Sequence, residues 1–285
     1  MIPKDNSFSS KHSLKIGDKI IDFSTPKIMG VINVTPDSFF DGGINTSTKK
    51  AIEKANNMIL EGAEFLDVGG YSSRPGAEEV SVQEEINRTV PIVRAIHEKF
   101  PEVSISIDTF RKVVAQKNLE AGATWVNDIS AGKLDCEMIP WIKENKIPYI
   151  AMHMRGNPQT MQSECEYTNL INQVIAELIS SVRELDSDHP LILDPGFGFS
   201  KTVDQNYELM NNLEHFSKLN QPFLVGFSRK SMIYKLLNSS AKESLNGTTV
   251  LNTIGLLKGA SVLRVHDVKE AKEVVLLIEK LKSIN

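Results

Sequence analysis

Eight short apolar runs alternate along the chain with longer segments whose apolar positions recur every three or four residues. The first run, KIMGVIN at 27–33, is too short for a membrane span and is closed by turn formers, so it predicts a strand buried on both faces. Further strands are predicted at 64–68, 103–108, 124–127, 148–152, 191–194, 222–226 and 261–265. The stripes between them predict helices at 48–61, from Ser81 onward, and at 111–120, 137–145, 169–185, 204–212, 232–237, 245–258 and 268–281. Ser81 and Glu84 read as a capping box, and Pro91 is expected to kink the helix it opens. Such alternation implies parallel strands. Eight units favour a closed (β/α)8 TIM barrel over an open doubly wound sheet. Residues 13–23 read as a small hairpin turning at Gly17-Asp18, placed to plug the bottom of that barrel, behind a frayed stretch at 1–12. The expected division is therefore a tail and hairpin at 1–26 and one barrel domain at 27–285. GFGFS at 196–200 lacks the third glycine of a dinucleotide fingerprint and follows the wrong strand.

Composition narrows the class. The 285 residues are 41% hydrophobic, carry a net charge of -4 and have a pI near 5.9. No nucleic-acid partner is expected, and any anion site must be local. Cys136 and Cys165 have no metal-type spacing and suit a reducing cytosol. The start, MIPKDNSFSSKHS, is polar, and no apolar run approaches bilayer length. A cytoplasmic protein with no membrane partner is expected.

The candidate chemistry stands where strands end. After the first strand, Thr35-Pro36-Asp37-Ser38 and Asp41-Gly42-Gly43 form a turn-rich loop holding Phe39 and Phe40, either a flap over a ligand or aromatics folded onto the core. Asn33, Asp67, Asp108, Asn127, Met152-His153, Asp194, Ser228, Lys230, Arg264 and His266 lie at or just past strand ends, which converge on one mouth in a barrel. One such Asp is ordinarily a cap; several together are not. Asp108, Asn127 and Asp194 suit a flat ring rich in N–H groups, such as an aminopyrimidinone. Lys230, Arg264, His266 and Arg74 suit phosphate, with Arg264 and His266 on one strand face. Arg229 reads as a solvated charge, and His97, His189 and His215 as surface residues; His153 has no partner in view. No His/Cys spacing points to zinc. A hard cation held by phosphate oxygens, Mg2+, fits better. These residues predict an enzyme that binds a nitrogen-rich heterocycle beside phosphate or pyrophosphate, and they leave the reaction open.

Seven segments resemble the dihydropteroate synthase family, in order and nearly end to end: GVINVTPDSFFDGG, LDVGGYSSRPGAEEV, ISIDTF, VNDIS, LDPGFGFSK, FSRKS and RVHDV. The resemblance implies condensation of 6-hydroxymethyl-7,8-dihydropterin pyrophosphate with p-aminobenzoate in folate biosynthesis. It implies a pterin site at Asp108, Asn127, Met152, Asp194, Gly226 and Lys230, and a pyrophosphate site at Asn33, Arg74, Arg264 and His266. Asn33 matches the Mg2+ contact. Phe39, Ser73, Arg74, Pro75, Phe199 and Ser231 match the p-aminobenzoate pocket. Asp108, Asp194, Lys230 and Asp41 match catalytic positions, Asp41 on the first flap. A homodimer through the late helices and sensitivity to sulfonamides are also implied.

The second loop reads GGYSSRPG where many members have GGESTRPG, so Tyr71 stands for Glu and Ser73 for Thr. Tyr71 is assigned no catalytic role, and Ser73 keeps the hydroxyl without the methyl. Three other readings stay open at this point. One is a pterin-binding barrel that moves a methyl group to a corrinoid protein, and another is a pterin-binding paralogue without turnover. The third is a phosphate-binding lyase using Lys230 as a Schiff base.

Overall fold

The computed structural model describes residues 13–16, 19–34, 43–72 and 79–284, with side chains omitted at 43–46. The antiparallel hairpin β1 (Ser13–Ile16) and β2 (Lys19–Asp22) precedes the sheet. The parallel strands are β3 (Lys27–Asn33), β4 (Phe65–Gly69), β5 (Ser104–Asp108), β6 (Trp125–Asp128), β7 (Tyr149–Met152), β8 (Leu191–Asp194), β9 (Leu224–Val225) and β10 (Val262–Val265). Their spatial order is β8-β7-β6-β5-β4-β3-β10-β9. A parallel bridge between Leu193 and Phe223, with Leu193 N–H donating to Pro222 O at 3.0 Å, joins the two outer strands and closes the barrel. The predicted 222–226 strand shrinks to Leu224–Val225: Pro222 has no N–H to give, and Phe223 joins its neighbours only by the bridge to Leu193 and by its carbonyl, which accepts from Ser261 and Val262 N–H.

The helices are α1 (Gly43–Leu60), α2 (Val82–Lys99), α3 (Lys112–Glu120), α4 (Met138–Glu144), α5 (Leu170–Val182), α6 (Val203–Asn211), α7 (Glu214–Ser217), α8 (Ser231–Tyr234), α9 (Leu245–Leu257) and α10 (Val268–Lys282). Helix α1 begins five residues before the apolar stripe announces it, since its first turn, GINTST, is mostly polar. Helix α2 runs through Pro91 as one element. Its capping box is half made: Ser81 Oγ accepts from Glu84 N–H at 3.2 Å, but the Glu84 carboxylate pairs with Arg88 at 2.8 Å instead. The complete capping box is at α6, between Thr202 and Gln205. The short α7 and a 3-10 turn at Met161–Ser163 carry too few apolar positions to be seen in sequence.

Two apolar layers follow from strand alternation. The larger fills the space between strands and helices. The smaller takes one inward residue from each of seven strands, Met29, Phe65, Trp125, Ile150, Ile192, Leu224 and Val262, and adds Leu14 and Phe23 from the hairpin region. Phe65 and Trp125 meet edge to face at 5.7 Å. The hairpin therefore plugs the barrel from its N-terminal end; its turn residues Gly17 and Asp18 lie outside the described set.

Candidate active site

Strand side chains repeat every second residue, so two positions beyond the plug layer the same inward face returns. Those positions are Val31, Asp67, Asn127, Met152, Asp194, Gly226 and Arg264. An apolar floor thus passes into a polar mouth within one repeat. Asn33 and Asp108 stand one repeat higher or beside them: Asn33 pairs in register with Gly69, and Gly69 with Asp108. A Cβ at Gly69 would come within 3.3 Å of Asp108 Cβ, so the missing side chain makes room for that carboxylate.

Arg264 ties the mouth together. Its Nε donates to Asp67 Oδ2 at 2.6 Å, and its Nη2 donates to Asp108 Oδ2 at 2.6 Å. Asn127 Nδ2 donates to the same Asp67 Oδ2 at 3.0 Å. Asp67 is fully buried, and its Oδ1 has no hydrogen-bond partner among the described residues. Asp67 stands among the strand-end residues in the sequence, yet no motif assigns it a role. Burial opposes the Arg264 charge, but Asp67 and Asp108 outweigh burial and raise its pKa. Burial pushes the Asp108 carboxyl up to about 7, against the pull of Arg264 and with the repulsion of Asp67.

Asp194 faces Lys230. Its Oδ1 accepts from Gly196 N–H at 2.8 Å. Burial raises its pKa, while Lys230 pulls it down. The Lys230 ammonium donates to Phe197 O and lies 5.0 Å over the Phe199 ring. Burial lowers its pKa to about 8, and Asp194 opposes that. Met152 and Gly226 complete the wall, both buried; Phe199 and Ser231 are half-buried at its rim.

His266 follows the end of β10 and turns to Ser228, whose Oγ lies 3.0 Å from His266 Nδ1 and also accepts the His266 backbone N–H at 3.2 Å. Burial, then Arg264, Lys54 and Arg229, drives the His266 pKa down to about 3. It is therefore neutral and does not carry the positive charge its sequence position suggests. Arg229 is exposed, as a solvated charge is expected to be, and its guanidinium pairs with Asp267. Two more histidines depart from expectation. His189 is buried, with Nε2 2.9 Å from Ile147 O, and His153 finds both Glu177 and Lys201. His97 is exposed and His215 half-buried.

Phe39, Asp41, Ser73, Arg74 and Pro75 lie outside the described residues. Tyr71, at the edge of that second loop, is held structurally: its ring meets Phe110 at 5.1 Å, the Arg111 guanidinium lies 5.2 Å over it, and its hydroxyl accepts from Gln159 Nε2 at 2.9 Å. Among the described residues no three His, Cys, Asp or Glu side chains stand together as a metal site. A cavity of about 420 Å³ lined by Tyr167, Asn169, Gln205 and Glu208 collects none of the strand-end residues.

A family model described as pterin binding enzyme matches residues 29–266. Dihydropteroate synthase of Escherichia coli K12 is 43% identical over 267 residues, covering 91% of this chain and 93% of that protein. Dihydropteroate synthase of Synechocystis is 41% identical, covering 94% of each chain. The structure of Yersinia pestis dihydropteroate synthase in a sulfonamide drug complex superposes with a TM-score of 0.87 at 37% identity, over 95% of this chain and 99% of that one. That of Xanthomonas albilineans dihydropteroate synthase with 4-aminobenzoic acid gives 0.87 at 30% identity, over 96% of this chain and 100% of that one.

Proposed function

The chain belongs to the dihydropteroate synthases, within the pterin-binding enzymes, and from that premise we propose how its own residues divide the reaction. The reaction joins 6-hydroxymethyl-7,8-dihydropterin pyrophosphate to p-aminobenzoate, giving 7,8-dihydropteroate and pyrophosphate in folate biosynthesis. The observation that carries the assignment is the Asp67–Arg264–Asp108 clasp beside Asp194 and Lys230, at one polar mouth over an apolar floor.

Asp108, Asn127, Asp194 and Lys230 hold the pterin ring, walled by Met152 and Gly226. The unsatisfied Asp67 Oδ1 supports a ligand rich in N–H groups. As the C–O bond to pyrophosphate breaks, positive charge spreads onto the pterin methylene. Asp108 and Asp194 stabilise it, and the departing anion meets the His266 imidazole and the Arg264 guanidinium. The arylamine nitrogen then bonds to the methylene carbon and gives up a proton. It needs positioning by Phe199 and Ser231, with Phe39, Ser73, Arg74 and Pro75 assigned to the same pocket and Asp41 to the flap.

Asn33 at the end of β3 is the residue we assign to Mg2+; a single neutral oxygen suits an ion held mainly by pyrophosphate and water. Bound there, the ion would neutralise charge on the leaving pyrophosphate. The lyase reading fails on Lys230, whose ammonium is engaged by Phe197 O and Asp194.

Leu257 of α9 and Leu276, Leu277 and Leu281 of α10 are 60–68% exposed, which supports a homodimer through these helices. Sedimentation at twice the chain mass is expected, and a monomer at micromolar concentration sinks that reading. Among the described residues no helix is long and apolar enough to cross a membrane. The unpaired Cys136 and Cys165 support a cytoplasmic setting, for which cell fractionation is the check. Residues 27–285 are read as one domain because the plug and site layers draw on nearly every strand, and a single thermal transition is expected.

The reaction is tested on the purified protein with dihydropterin pyrophosphate, p-aminobenzoate and Mg2+. Pyrophosphate and dihydropteroate are expected in equal amounts, with release lost in chelator. Pterin binding without product would favour the paralogue or the methyl carrier. Sulfamethoxazole is expected to raise the KM for p-aminobenzoate without changing kcat, and turnover indifferent to the drug would contradict the pocket assignment.

A further inference from the structure

Past the ends of β7 and β8 lies a polar chain, buried at Lys201 and His153, that the reaction does not touch. Lys201 is 3% exposed. Its ammonium donates to His153 Nδ1 at 3.1 Å, to Gly196 O at 3.0 Å and to Phe199 O at 3.0 Å. Three protons thus meet three acceptors. His153 must then carry its proton on Nε2, which faces Glu177 Oε2 at 3.1 Å, and Glu177 closes the chain on Arg155. Burial, with Lys201 next, drives the His153 pKa to about 3, so the ring is neutral as this arrangement requires. Burial draws the Lys201 pKa to about 7; Asp194, Cys165 and Glu177 hold it up, and Lys230 pushes it down.

The two carbonyls that Lys201 grips are the ends of one turn, closed by Phe199 N–H donating to Gly196 O at 3.2 Å. Gly196 has φ +73°, and a Cβ there would lie 1.9 Å from His153 O, so the turn is pressed against the end of β7. Between its ends the turn presents the Phe197 carbonyl and the Phe199 ring to Lys230. At Gly198 a Cβ would come within 3.2 Å of Lys230 Cδ, so the Lys230 stem lies along the turn itself.

We propose that Lys201 is a positioning residue of the synthase reaction, whose bonds to Gly196 O and Phe199 O, anchored by the third on His153, hold the 196–199 turn so that Phe199 keeps the geometry the arylamine needs. This rests on reading Phe199 as a wall of the p-aminobenzoate pocket. Lys201 touches neither substrate and acts through the turn.

Lys201→Met keeps the stem and removes the three donors. The KM for p-aminobenzoate is expected to rise about tenfold, with the Kd for dihydropterin pyrophosphate moving less than about threefold, because Asp108, Asn127 and Asp194 stand on strands. A fall in kcat with both constants unchanged marks a merely structural lysine and overturns the proposal. Phe199→Ala is then placed in both backgrounds. Once Phe199 is gone, Lys201→Met is expected to add no further rise, and effects that multiply independently overturn the route through Phe199. An inert Phe199→Ala sinks the pocket-wall reading separately, and a KM rise in Lys201→Met beside it overturns the route through Phe199. If Lys201→Met does not fold, His153 variants read the same bond. His153→Asn keeps an acceptor near the Nδ1 position and His153→Leu removes it. A KM rise in the Leu variant alone supports the proposal, and equal values overturn it.

Discussion

Arg264→Met is expected to cost the fold roughly 3–5 kcal/mol and the reaction at least two orders of magnitude in kcat/KM. Arg264 is the cation shared by Asp67 and Asp108, at 2.6 Å from each. Methionine fills much of the same volume but leaves two carboxylates facing one another in a site where Asp67 has no exposure at all. Protonating one of them relieves part of the repulsion, and Asp108 is the group already pushed toward neutrality by burial. A neutral Asp108 can no longer stabilise a cationic pterin, so activity falls further than stability. Urea denaturation and steady-state kinetics read the two effects. Adding Asp67→Asn to Arg264→Met is expected to return much of the stability and little of the activity. Recovery of both would mean that Arg264 serves the fold alone.

Lys230→Met is expected to weaken dihydropterin pyrophosphate binding on the order of a hundredfold and to change global stability little. The buried ammonium costs stability through desolvation, which is why its pKa is drawn to about 8, so its removal spares the fold a penalty. What the variant loses is the counter-charge to Asp194 and the donor at the edge of the pterin site. Calorimetric titration with the dihydropterin pyrophosphate reads the loss. Unchanged affinity with reduced kcat would move Lys230 from holding the ring to the chemical step.

Much of this architecture is legible because its signals are local. The eight apolar runs, the hairpin around Gly17-Asp18 and the carboxylate or amide near the end of five strands all depend on a few neighbouring residues. The period of two then links Phe65 to Asp67, Trp125 to Asn127, Ile192 to Asp194 and Val262 to Arg264, so the plug predicts the site. What sequence does not disclose are partners far apart in the chain. Asp67 meets Arg264 across 197 positions, and Lys201 meets His153 across 48. Read alone, Lys201 is a loop lysine after a glycine turn. His189 looks like a surface residue because its acceptor, the Ile147 carbonyl, is 42 residues away. The charge of His266 is likewise a property of its surroundings: the same imidazole is neutral because it is buried beside Arg264. The second-loop departure is readable in kind but not in consequence, since only the fold shows Tyr71 packed on Phe110 and Arg111.

The central claim is that the carboxylate clasp generates and stabilises the pterin cation before the arylamine attacks. Its most direct measurement is single-turnover pyrophosphate release without p-aminobenzoate, in the parent protein and in Asp108→Asn, at saturating dihydropterin pyrophosphate and Mg2+. The account predicts release from the parent and a rate lower by about a hundredfold or more in the variant, with binding of the substrate retained. Equal rates in the two proteins would remove Asp108 from the bond-breaking step and contradict the account.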